Sequence, residues 1–93
     1  MLRITTQDEA ERLTFRLEGR LAGPWVAELR ACWQSTGRRL AAACVDLRAV
    51  TFVDSAGKEL LAAMYGQGAK LIASDCLMNA VVAEIEKAAA EAH

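Results

Sequence analysis

The chain has 93 residues, 25% of them charged, with 11 basic and 12 acidic side chains and a formal net charge of −1. That length supports one domain with one core, and the charge balance supplies no basic field for nucleic acid. No apolar run approaches the ~20 residues that span a bilayer, and the N-terminus lacks the apolar region of a secretion signal, so a cytoplasmic protein without membrane insertion is expected.

In chain order, residues 2–6 alternate weakly and read as an edge strand, followed by a polar turn at 7–11. Residues 12–19 alternate cleanly, with Leu13, Phe15 and Leu17 on one side and Arg12, Thr14, Arg16 and Glu18 on the other. That period of two marks a half-buried strand, and the pair reads as an antiparallel hairpin. Gly23-Pro24 starts a helix with proline at its first position. Val26, Leu29 and Trp33 form its apolar stripe, Trp25 lies at the margin as a cover for the sheet, and Gly37 suits the C-terminal cap. Arg38-Arg39 reads as a solvated turn.

Residues 40–47 form a continuous apolar run with one late acid, Asp46, which suits a buried parallel strand. Asp46 is expected to bond loop amides. After a short loop, a helix beyond Asp54 carries Leu60, Leu61 and Met64 on one face, and Gly66 and Gly68 break it. Residues 69–73 form a short apolar strand. Ser74-Asp75 can cap a last helix whose buried face is expected to carry Leu77, Val81 and Ile85. Residues 86–93 have high helix propensity and little apolar bulk, so they are expected to fray or project. The order β-β-α-β-α-β-α favours right-handed crossovers and a mixed α/β sheet of about four strands covered by helices.

Cys32, Cys44 and Cys76 are odd in number and far apart, no Cys-x-x-Cys occurs, and the one histidine is His93. A zinc site and a disulfide framework are both disfavoured, and three reduced, mostly buried thiols are expected. No cofactor is expected.

The segment 42–61 places Asp54-Ser55-Ala56-Gly57 at the start of a helix, directly after an apolar strand. Free N–H groups and the positive end of the helix dipole favour anions there, and a hydroxyl in such a place suits a phosphorylation switch. Helix capping by Asp54 or Ser55 is the competing, purely structural reading. Nucleophilic catalysis lacks a base near Ser55, apart from Lys58, and the glycines do not form a phosphate-cradling loop.

The ordered set Cys44-Val45-Asp46-Leu47, Val50-Thr51-Phe52-Val53 and Asp54-Ser55-Ala56-Gly57 resembles the STAS domain, a family named for sulfate transporters and anti-sigma factor antagonists. The upstream Leu17-Glu18-Gly19-Arg20-Leu21 resembles the family's second strand and its turn. The likeness runs over nearly the whole chain and implies a single STAS-like domain, residues 1–93. It also implies a non-catalytic regulator that binds a kinase-like anti-sigma factor and thereby frees a sigma factor. The implied partner-binding surface is centred on 51–58: Thr51, Asp54, Ser55, Ala56, Gly57 and Lys58, extended by Glu59 and Ala62.

In the antagonists the phosphorylated serine directly precedes the glycine, where this chain has Ala56, which lacks a hydroxyl. Any such modification therefore shifts to Ser55, with Thr51 as the other hydroxyl nearby. Accessory STAS subunits of lipid-transporting ABC systems resemble the tetrapeptide more closely, with Asp-Thr-Ala-Gly, and imply a transporter ATPase as partner. A small-ligand or nucleotide-binding module using the same helix end is the alternative from another class. The strand edge at 2–6 permits a homodimer.

Overall fold

A computed structural model describes residues 2–9, 12–35 and 43–91 of the chain. Four strands and three helices follow one another as β1 (Leu2–Glu9), β2 (Arg12–Leu21), α1 (Pro24–Gln34), β3 (Ala43–Val53), α2 (Ser55–Gly66), β4 (Lys70–Ile72) and α3 (Cys76–Glu91). The sheet order is β1-β2-β3-β4, with β1 antiparallel to β2 and the β2/β3 and β3/β4 pairs parallel. This is the mixed α/β sheet that the alternation and the helical segments predict.

The alternation in β2 sets the layers. Leu13, Phe15 and Leu17 are fully or nearly fully buried, and Val45 and Leu47 of β3 join them. All three helices bury their stripes in the same cluster: Val26, Leu29 and Trp33 from α1, Leu60, Leu61 and Met64 from α2, and Met78, Val81, Val82 and Ile85 from α3. One sheet face is therefore covered by helices. The other carries the even-numbered side chains of β2 and their cross-strand neighbours, and no described helix packs on it.

Several boundaries differ from the sequence reading. The polar segment after Thr6 is not a turn at its start, because Gln7, Asp8 and Glu9 continue β1 opposite Thr14, Leu13 and Arg12. The supposed loop after Leu47 is strand. β3 runs on to Val53, with register shifts against β2 between Arg16 and Glu18 and between Gly19 and Arg20. α1 ends at Gln34 with Ser35 as its C-cap. Gly37, Arg38-Arg39 and the start of the 40–47 run lie outside the described residues, as do Ala10, Glu11 and His93.

In α3, Leu77 is 58% exposed and Met78 takes the buried place. Asp75 caps this helix, its Oδ1 accepting from the Met78 N–H at 2.7 Å. The buried stripe runs over 78, 81, 82 and 85, and Leu77, about 100° round the helix from Met78, falls off it. Residues 86–91 continue α3, and among the described residues past Glu86 only Ala89 is half-buried. The thiols also divide: Cys44 is buried and Cys32 half-buried, but Cys76 is exposed; none is in a disulfide. Trp33 is core, and Trp25 and Tyr65 are half-buried against it.

Candidate functional site

The start of α2 is built from three segments that meet at Asp54. Asp54 is the N-cap residue, in extended conformation, and its Oδ1 accepts from the Gly57 N–H at 2.7 Å. Its Oδ2 accepts from the Gly23 N–H at 3.0 Å, 31 residues away, at the turn between β2 and α1. The Asp54 N–H itself donates to the Leu21 carbonyl at 3.1 Å. One residue thus ties the end of β2, the start of α1 and the start of α2 together. Gly23 needs its glycine for this: its φ is +59°, although a Cβ there would meet nothing within 4 Å. The N–H groups of Gly23 and then Gly57 hold the Asp54 carboxyl below its ordinary range.

The expected ring of bare amides is therefore half occupied by the protein's own carboxylate. The remaining first-turn amides, Ser55 and Ala56, have no intrahelical acceptor, but they stand beside an ionised aspartate. The capping role falls to Asp54 alone, which leaves the Ser55 side chain exposed at the first helical position.

The residues that the resemblance points to separate by direction. Thr51, Ser55, Ala56, Glu59 and Ala62 are exposed at the β3–α2 junction, and the spacing of Ser55, Glu59 and Ala62 puts them on one face of α2. Thr51 donates through Oγ1 to the Gly19 carbonyl at 3.2 Å, where β2 and β3 shift register. Lys58 is half-buried and reaches Glu84 on α3 at 3.6 Å, so it braces α2 against α3 instead of standing free. Gly57 faces inward and is buried. A Cβ on it would come within 2.8 Å of the Leu21 carbonyl oxygen and 2.9 Å of Val53 Cγ1. Gly57 belongs to the foundation of the patch and not to its exposed surface.

Two neighbours escaped the sequence reading. Phe52 is 42% exposed, and the Arg20 guanidinium lies over its ring at 5.0 Å from the centroid. The signal was available: with Val53 pointing inward, strand alternation turns Phe52 outward. An exposed aromatic under an arginine is a common composition for an interface anchor.

Asp46 also departs from expectation. It sits within β3 instead of ending a strand. It accepts from the Arg48 backbone N–H at 3.0 Å, and its two oxygens take the Arg48 guanidinium at 3.0 and 2.9 Å. These bonds from Arg48 lower its carboxyl against the opposing effect of burial. Among the described residues no three His, Cys, Asp or Glu side chains converge as metal ligands, and no helix is long and apolar enough to cross a membrane.

No protein-family model matches the sequence, and no curated protein matches it. Solved structures do. An anti-sigma factor antagonist from Mycobacterium paratuberculosis superposes with a TM-score of 0.78 at 19% identity, over 95% of this chain and 82% of that one. The anti-sigma factor antagonist SpoIIAA, in its unphosphorylated form, gives 0.67 at 21% identity, over 85% and 80%. A protein named Mglu gives 0.61 at 16% identity; there the match covers 76% of this chain but only 19% of the other, so this chain spans a small part of that protein's length. The fold is STAS-like and is shared with the anti-sigma factor antagonists.

Proposed function

We propose that this domain is a non-catalytic regulator that works by binding another protein through the β3–α2 junction. The observation that carries this reading is the set of exposed residues at the junction, Thr51, Ser55, Ala56, Glu59 and Ala62, on a base braced by Asp54 and Gly57, with exposed Phe52 at the end of β3 beside them in sequence. A rigid base lowers the cost of ordering a surface on binding. The junction has one exposed aromatic and small side chains that allow close approach. The likeness of fold to anti-sigma factor antagonists favours a kinase-like anti-sigma factor as the partner, in the cytoplasm of a bacterium.

Phosphorylation at Ser55 is the control that the geometry favours, because Ala56 has no hydroxyl and Ser55 is exposed. A phosphate there would add up to about two negative charges beside the Asp54 carboxylate, and repulsion and desolvation would weaken docking. Ala56 is the observation that favours a second reading, an accessory subunit docking on the ATPase of a lipid-transporting ABC system through the same junction.

The test is isothermal titration with a kinase-like anti-sigma factor of the same cell, and with a transporter ATPase in parallel. Ser55→Asp is expected to weaken the authentic complex at least about tenfold, as adding a misplaced charge to an interface does. Its melting temperature should stay within about 2 °C of the parent's, because the substitution is on the surface. Phe52→Ala should weaken binding comparably. Unchanged affinity in both variants would overturn the proposal, and phosphate mapped by mass spectrometry to a residue other than Ser55 would remove the proposed control.

A further inference from the structure

The helix-free face of the sheet differs in charge from the rest of the molecule. Cross-strand register places Arg3, Arg16, Arg20 and Lys70 on it, and Arg48 joins them through its bonds to Asp46, the register partner of Arg16. Among the residues whose side chains are described, Glu18 and Asp46 are the acids on it, although the whole chain carries −1. Such a field draws anions toward this face.

At its centre lies a depression of about 260 Å³ lined by Arg16, Asp46, Arg48 and Ala49. This is below the ~300–1,000 Å³ of pockets that hold drug-sized ligands, and it suits a small charged group. Asp46 gives the depression its order. Its side chain is only 8% exposed, and it grips one edge of the Arg48 guanidinium through Nε and Nη2, while the Arg48 side chain stays 59% exposed. The Nη1 donors are not engaged by Asp46. An arginine held in this way offers its outer N–H groups at little further cost in side-chain entropy.

Arg16 is the direct cross-strand neighbour of Asp46. Its ion-pair contact is a loose one, 4.0 Å from Nε to Glu18, with both side chains largely in water. It lines the depression beside Arg48. Ala49 contributes no bulk, which keeps the space above the strand open.

We propose that this depression is a binding site for a phosphate-type oxyanion, held between the guanidinium groups of Arg16 and Arg48. The two guanidiniums outnumber the one carboxylate in the lining, which leaves a net positive charge, and paired N–H···O bonds to an oxyanion are strong and directional. The inference is independent of the docking role proposed for the β3–α2 junction. The depression also differs from the start of α2, where the Asp54 carboxylate occupies the cap and Lys58 is turned to Glu84, because here two cations stand against one carboxylate. Free phosphate and phosphate carried on another macromolecule present the same chemistry to the two guanidiniums.

The test is a titration of the ¹⁵N-labelled protein at low salt and neutral pH, first with inorganic phosphate and then with a short phosphoserine peptide. Saturable amide shifts are expected at Arg16, Arg48 and Ala49, with a dissociation constant in roughly the millimolar range for a few solvent-exposed charge-assisted bonds. Arg16→Ala should weaken binding about tenfold while leaving the Asp46–Arg48 pair intact. Arg48→Lys, which keeps the charge but loses the fork, should weaken it as well, and Arg30→Ala on α1 should not. A peptide that binds more tightly than inorganic phosphate would place the group on a macromolecule; equal binding would indicate free phosphate. Shifts that never saturate, shifts confined to Ser55 and Ala56, or unchanged binding in Arg16→Ala would each overturn the proposal.

Discussion

Asp46 and Asp54 lie on the same strand-to-helix segment, are both ionised below their ordinary range, and do opposite work. Asp54 gives both oxygens to backbone amides, one from the turn before α1 and one from the first turn of α2. Asp46 gives both to a side chain, the guanidinium of Arg48, on the face that no described helix covers. The first carboxylate fixes where elements sit; the second fixes where a cation sits. A carboxylate bonded to amides becomes part of the framework, whereas one bonded to an arginine keeps a charged group poised at the surface.

The strongest way to break the framework side is at Gly57. Gly57→Ala would drive a Cβ into the Leu21 carbonyl and Val53, and overpacking of this kind costs about 1–3 kcal/mol. The upper end is expected, because one of the two obstructing atoms is backbone and cannot rotate away. The denaturant midpoint should fall with the m-value unchanged. Asp54→Ala comes next. It removes a cap and a long-range tie together, and the melting temperature should fall by roughly 4–8 °C for a domain of this size.

Salt and acid then separate the two aspartates. Both carboxyls are depressed, so both contribute stability that is fully present above the ordinary value of 3.8 and is lost as the pH falls through their lower native values. In the parent, acid unfolding should therefore steepen below about pH 4. Asp54→Asn should flatten that limb at any ionic strength, because its partners are uncharged amides. The share due to Asp46 should shrink on going from about 0.1 to 1 M salt, because salt screens an ion pair whose arginine is largely in water. Equal salt sensitivity at the two positions would erase the distinction.

The order of elements, the hairpin, the helix stripes and the buried tryptophan were legible because each rests on local periodicity. The failures share a cause. At Arg48 and Ala49 two successive side chains are exposed where β3 shifts register against β2, so the alternation breaks and the rest of the strand reads as loop. Phe52 and its Arg20 partner were hidden by that break. The bond from Gly23 to Asp54 joins residues 31 apart, and no local pattern encodes it. Leu77 was misplaced because 77, 81, 85 and 78, 81, 82, 85 are both apolar sets at helical spacing, and packing against the sheet and α2 chooses between them.

The smallest expected effect bears most directly on the comparison. Ser55 stands next to the framework aspartate, yet its exposed side chain is left out of the cap, which Asp54 completes with Gly57. Ser55→Ala should therefore leave the melting temperature within about 1–2 °C of the parent's, since surface substitutions outside a cap rarely exceed ~0.5 kcal/mol. Had the serine been the cap, the same change would cost about as much as Asp54→Ala. Measuring the two variants side by side thus asks whether architecture and surface chemistry are separated at adjacent positions. A hydroxyl that can be removed without loss of stability is one that a regulator can modify without unfolding the domain that carries it.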